Sequence, residues 1–248
     1  MITHFIKKNI FLKNILIVLS GTLLMQIILF LSSPILTRLI EPKAFGTYGI
    51  YISIISILSV VISGRYELAI MIPKENKTAN FIIILSLLIS ILLSCILLVI
   101  FLFLKPLAFN KLTSLNLHNI FFILHIHILI QKCNIIFNYS LNRSQQFKII
   151  SKNKILKGST ITLATICLAL TELNHISLIL GILIGDFTAL LFLSYHQKHL
   201  LNKFYYQNPK KLFYCLKRFK KFPLYLTPGS ILNTLASTSP VFIITKFY

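Results

Sequence analysis

Acidic residues are scarce in this chain: Asp and Glu together number 5 in 248 residues, and only 12% of the sequence is charged. An ordinary soluble domain carries charge on roughly a quarter of its residues, so the composition excludes that class. Cysteine is sparse as well. Cys95, Cys133, Cys167 and Cys215 show no C-x-x-C spacing, and the first three sit in apolar runs, where cysteine behaves as a small hydrophobe. Neither a disulfide framework nor a zinc site has support. A small-residue cleavage site is also missing after the first apolar run, so Lys7, Lys8 and Lys13 precede an uncleaved first span rather than a signal peptide.

What fills the chain instead is hydrocarbon: 56% of residues are hydrophobic and the mean hydropathy is +0.83. Apolar runs lie at 14–37, 45–64, 80–104, 117–140, 155–171, 176–195 and 222–247. Most approach the roughly 20 residues a helix needs to cross a bilayer. The expectation is an all-α integral membrane protein with seven crossings.

The formal charge of +20 would suggest nucleic acid as the partner of a soluble protein, but here position argues otherwise. With a cytoplasmic N-terminus, nineteen basic residues fall in the inside segments, including the dense sets 143–157 and 198–221, against four outside: Arg38, Lys43, Lys105 and Lys111. The positive-inside rule thus predicts a cytoplasmic N-terminus with odd-numbered spans running outward, and it accounts for the basic residues with no nucleic acid as partner. Outside connections are all short and leave no place for a large catalytic module.

Three parts are expected: a six-span lobe over 1–195, a basic aromatic linker over 196–221, and a seventh span over 222–248. The linker mixes Lys and Arg with Phe204, Tyr205, Tyr206, Phe213, Tyr214 and Phe219, which suits either a helix lying at an anionic membrane surface or a solvated segment that fixes topology. Pro223 and Pro228-Gly229 predict a broken or kinked start to the seventh span.

Polar side chains within spans are costly in lipid and normally face a bundle interior or a wet cavity. On the fourth span, His127, Gln131, Asn134 and Asn138 follow offsets of 4, 7 and 11 residues and form one stripe, with His125 and Lys132 on a roughly opposite face. Two histidines two residues apart cannot chelate one metal from a regular helix. Thr22, Gln26, Ser33 and Thr37 make a similar face on the first span. On the second, Ser56, Ser59 and Ser63 extend to Glu67 if the helix continues through Gly64. These hydroxyls either line a cavity or glue helices together. Arg65 and Glu67 stand at a membrane edge, and Asp186 is the one acid deep in an apolar run, beside Gly181 and Gly185. It is placed to pair with a lysine or to carry a coupling ion.

The stretch Ser33-Pro34-Ile35-Leu36-Thr37-Arg38-Leu39, followed by Glu41-Pro42, Phe45-Gly46-Thr47-Tyr48, Gly64-Arg65-Tyr66-Glu67-Leu68-Ala69-Ile70 and Pro73-Lys74, resembles the N-terminal signature of polysaccharide biosynthesis membrane proteins. These are the Wzx-type O-antigen flippases and their relatives in the multidrug/oligosaccharidyl-lipid/polysaccharide exporter superfamily. The resemblance is specific over residues 14–75, and 222–233 also looks like the family's seventh span.

It implies a carrier, not an enzyme, that moves an undecaprenyl-pyrophosphate-linked oligosaccharide between leaflets by alternating access, with no bond made and no cofactor or metal. Arg38, Arg65 and Lys132 are the phosphate candidates, with Glu67 beside them; His127, Gln131, Asn134 and Asn138 are the sugar candidates; Glu67 and Asp186 are the coupling-ion candidates. The expected partners are the lipid-linked oligosaccharide, membrane lipids, and other polysaccharide assembly proteins or a separately encoded second half. Family members carry two bundles of six spans or more, so the chain reads as an N-terminal half. The rival readings are an inactive truncated remnant of such a flippase and a membrane-embedded glycan polymerase or ligase.

Overall fold

The computed structural model describes residues 2–112, 117–198, 200 and 209–247, and no strand occurs among them. The long helices are α1 (Ile2–Leu39), α2 (Pro42–Ser63), α4 (Asn76–Leu112), α5 (Leu117–Arg143), α6 (Phe147–Ala169), α7 (Ser177–His196) and α9 (Thr227–Phe247). Between them lie the single turn α3 (Tyr66–Ala69), the shorter helix α8 (Pro209–Arg218), a 3-10 turn at Asn174–Ile176 and a π turn at Phe222–Leu226. Each apolar run of the sequence falls on one long helix. Helix is the natural outcome, because a segment in hydrocarbon must pair its backbone groups internally.

Among the described residues, four segments, Leu12–Leu39, Pro42–Ser63, Asn76–Ile100 and Asn174–His196, are long and apolar enough to cross a membrane. The chain is therefore an all-α membrane protein. Helices α5, α6 and α9 carry more polar residues. Four lysines, Lys148, Lys152, Lys154 and Lys157, occupy the first half of α6 alone.

Hydroxyl groups inside the apolar helices mostly bond to their own helix. Ser53 Oγ donates to Gly49 O at 2.8 Å, Ser56 Oγ to Ile52 O at 2.8 Å and Ser86 Oγ to Ile82 O at 2.8 Å. This back-bonding lowers the cost of a hydroxyl in lipid without requiring a partner helix. On the Ser56–Ser59–Ser63 face, Ser56 and Ser59 donate to backbone carbonyls of α2, and Ser63 makes contacts beyond its own helix.

The chain forms two compact units. One comprises residues 1–48 and 140–197, the other 49–139 and 198–248, so α2 and α5 contribute to both. In the first unit, α6 lies between α1 and α7 and is approached closely on each side. Gly21 of α1 meets Ser151, Gly158 of α6 meets Met25, Gly181 of α7 meets Thr165, and Gly185 of α7 meets Ile161; a Cβ at any of these glycines would collide with its neighbour. Small residues allow such approach where lipid supplies no hydrophobic drive for helix association. Asn174 donates from Nδ2 to the Leu39 carbonyl at 2.8 Å, satisfying an otherwise open acceptor at the end of α1. Of the polar face expected on α1, Thr22 accepts a hydrogen bond from Lys154 Nζ at 2.8 Å, whereas Gln26, Ser33 and Thr37 are exposed.

The second unit has its core around Ile55, Ile62, Ile82, Ile128 and Ile136, all fully buried. Its last helix, α9, is exposed along most of its length. The expected break ahead of that helix is present as the π turn containing Pro223, while Pro228 falls in the first turn of α9 and is tolerated there. Pro240 lies in the interior of α9, a second irregularity that the sequence reading passed over.

Candidate functional site

A left-handed turn builds the most unusual part of the second unit. Helix α2 stops at Ser63, and Gly64 (φ 51°) and Arg65 (φ 57°) both take positive φ before α3 starts. Glycine adopts this region freely, but for arginine it is uncommon and costs on the order of 1–3 kcal/mol. The helix thus does not continue through Gly64, contrary to one sequence expectation. Glu67 nonetheless returns to Ser63, because the turn folds α3 back on the end of α2.

Glu67 is almost wholly buried, and so is Lys132 of α5. Lys132 Nζ lies 3.4 Å from Glu67 Oε1 and donates to Ser63 Oγ at 3.0 Å. Ser63 Oγ lies 3.1 Å from the same carboxylate oxygen and accepts from the Arg65 backbone N–H at 3.3 Å. The Arg65 guanidinium, partly exposed, approaches Glu67 Oε1 at 3.8 Å. Two cations therefore share one carboxylate, leaving the cluster with an excess of positive charge. Glu67 Oε2, Arg65 Nε and Gln131 Oε1 are buried with no hydrogen-bond partner among the described residues. Each is hydrogen-bonding capacity that the described residues leave unused.

Helix α5 is held on both of the faces marked by its polar residues. His127, with no exposed surface, shares a hydrogen bond between Nδ1 and the Tyr51 hydroxyl of α2 at 2.9 Å, and the two rings stack with centroids 5.7 Å apart. His125 Nε2 pairs with Ser94 Oγ of α4 at 3.2 Å. Asn134 is buried, Asn138 donates from Nδ2 to the Asn134 carbonyl at 2.8 Å, and Gln131 and Asn138 keep partial exposure. Of the expected sugar stripe, His127 and Asn134 thus face the interior in this conformation.

The turn is also fastened from outside the cluster. Tyr66 donates to the Leu216 carbonyl of α8 at 3.2 Å. Burial pushes its phenol above the usual range, so it remains a donor at neutral pH. Gly64 faces Pro223, which a Cβ at Gly64 would meet at 3.4 Å.

Arg38 and Asp186 belong to the first unit. Arg38 is exposed in the last turn of α1. Asp186 is buried and forms an ion pair with Lys157 Nζ at 2.5 Å. The structure thus brings Ser63, Arg65, Glu67 and Lys132 together and couples His127 to Tyr51. Tyr51 and Lys157 were not singled out by sequence reasoning as partners. A tyrosine in an apolar run and a lysine among many lysines carry no mark of their neighbour on another helix. No group of three or more His, Cys, Asp or Glu residues arranged to hold a metal occurs among the described residues.

A family model described as polysaccharide biosynthesis protein matches residues 35–248 of the chain. No curated protein and no solved structure matches it.

Proposed function

The chain belongs to the polysaccharide biosynthesis protein family, and from that premise we propose that it carries an undecaprenyl-pyrophosphate-linked oligosaccharide across the bacterial inner membrane. A role in polysaccharide biosynthesis at a membrane follows from the family and the apolar helices. The observation that carries the finer reading is the Ser63–Arg65–Glu67–Lys132 cluster, with two cations to one carboxylate at the turn that ends α2.

A diphosphate entering a membrane must find cations, and a guanidinium presents a planar fork of donors that fits phosphate oxygens. Arg65 suits the role because it is the partly exposed member of the cluster. Lys132, being buried, acts behind it. By neutralising Glu67, it leaves the arginine's charge for a ligand. Sugar hydroxyls would be met by Gln131 and Asn138, which keep partial exposure, while the lipid tail stays in the bilayer. Glu67 and Asp186 are the carboxylates placed to take up a coupling ion, each already facing a lysine. Arg38, on the first unit, is a separate phosphate candidate in this reading. The chemistry is translocation alone, in the orientation that puts the N-terminus in the cytoplasm, with other polysaccharide assembly proteins as partners.

Purified chain in proteoliposomes loaded with a fluorescent lipid-diphosphate oligosaccharide tests the proposal. Transport should make the inner-leaflet pool accessible to a membrane-impermeant quencher, and Arg65→Ala should stop it. An inner pool that stays as protected as in protein-free liposomes would refute the carrier reading.

A further inference from the structure

Residues 209–221 contain no acid and carry Lys210, Lys211, Lys217, Arg218, Lys220 and Lys221. Helix α8 at the start of this segment has two apolar faces, of which one is used. Cys215 and, just beyond the helix, Phe219 are buried, with Leu212 partly so, on the side that packs against α4. Lys211 Nζ sits 5.7 Å from the centroid of Phe81 near the start of α4, and Leu216 accepts the hydrogen bond from Tyr66. Phe213 and Tyr214 point the other way and are 67% and 60% exposed.

Where α8 is fastened decides what the exposed face can meet. The helix touches Tyr66 in the turn after α2 and Phe81 near the start of α4, so it lies beside the ends of two helices long and apolar enough to cross a membrane. Arg218 lies 6.0 Å from the ring centroid of Tyr214 and 5.7 Å from that of Phe219. Aromatic rings with long cationic side chains around them match the boundary of hydrocarbon and head groups, where the rings enter the acyl region and the cations reach upward to phosphate.

We propose that α8 is a lipid-docking helix whose exposed Phe213–Tyr214 face inserts into an anionic leaflet, with Lys217, Arg218, Lys220 and Lys221 engaging phosphatidylglycerol-type head groups. The occupant is set by charge: a segment with six cations and no acid favours an anionic surface over a zwitterionic one. Through the Tyr66–Leu216 hydrogen bond, the docked helix also steadies the turn that carries Arg65 and Glu67. The inference is independent of the transport reading.

The test uses the full chain in nanodiscs of phosphatidylcholine with and without phosphatidylglycerol, with an environment-sensitive fluorophore at Phe213→Cys and the native cysteines replaced. Phosphatidylglycerol should shift the emission to the blue, high salt should reverse the shift, and the combined Lys217→Gln, Arg218→Gln, Lys220→Gln and Lys221→Gln variant should lose it while keeping its helical circular dichroism. Backbone hydrogen exchange over 213–221 in the unmodified chain gives the same comparison without substitution, and should slow in the anionic discs. Equal emission and equal exchange in the two lipids would overturn the proposal, as would a shift that survives the four substitutions. An equal shift on adding an oligonucleotide to phosphatidylcholine discs would reassign the face to nucleic acid.

Discussion

Glu67 is the residue on which the second unit's charge balance turns. Its carboxylate faces Lys132 at 3.4 Å and Arg65 at 3.8 Å, so removing Glu67 leaves the buried Lys132 without its carboxylate, and removing Lys132 leaves the buried carboxylate only the longer contact to the partly exposed Arg65. Lys132→Met alone should destabilise the fold by about 3–5 kcal/mol, and Glu67→Gln alone by a similar amount, whereas the double variant should lose much less. Unfolding in a graded detergent series would show this non-additivity. The backbone at Arg65 gives a second expectation. Because its φ is 57°, Arg65→Gly should be more stable than Arg65→Ala by about 1 kcal/mol in the same assay, although both remove the charge. At this scale the sequence displayed the participants but not their geometry. Arg65, Glu67 and Lys132 stand out as charges near or within apolar runs. That Lys132 lies nearer the carboxylate than the sequence neighbour Arg65 depends on a left-handed turn and on the register of α5 against α2, and neither leaves a mark in composition.

Among the elements, α6 and α7 approach each other closely at two glycines of α7. A Cβ at Gly181 would collide with Thr165 and one at Gly185 with Ile161, while one at Gly46 of α2 meets nothing within 4 Å. Gly185→Val should therefore lower the thermal midpoint in detergent. Gly46→Ala should raise it slightly, since alanine gains up to about 1 kcal/mol over glycine in a helix interior. Helix α8 offers a chemical readout as well. Burial pushes the Cys215 thiol up, with Arg218 opposing the shift only in part. A raised thiol pKa means less thiolate at neutral pH, so maleimide labelling of Cys215 should be slow and should accelerate as pH rises past the ordinary thiol range. Phe219→Ala should speed it by opening the buried face. The helices themselves were legible, because runs of apolar residues near 20 long dictate them. A break near Pro223 was legible from proline chemistry, whereas its form as a π turn was not. The glycine contacts of α7 were half legible: Gly181 and Gly185 signalled a close neighbour, but only packing identifies it as α6.

For the molecule as a whole, the membrane class and the polysaccharide biosynthesis family rest on a matched region of residues 35–248 and on four helices able to cross a bilayer. The distribution of basic residues predicts an orientation with the N-terminus in the cytoplasm, and reporter fusions test it. Alkaline phosphatase joined at Lys43 or His175 should be active in the periplasm, and inactivity at both would reverse the topology. The carrier reading gathers the residue and element arguments into one requirement, that surface glycan depends on Arg65 for a reason other than folding. The most direct measurement is surface glycan in a strain lacking its own flippase and expressing this chain, compared with the Arg65→Ala variant at equal membrane abundance. Glycan should be restored by the native sequence and lost with the variant. Glycan absent with both, or restored equally by both, would contradict it.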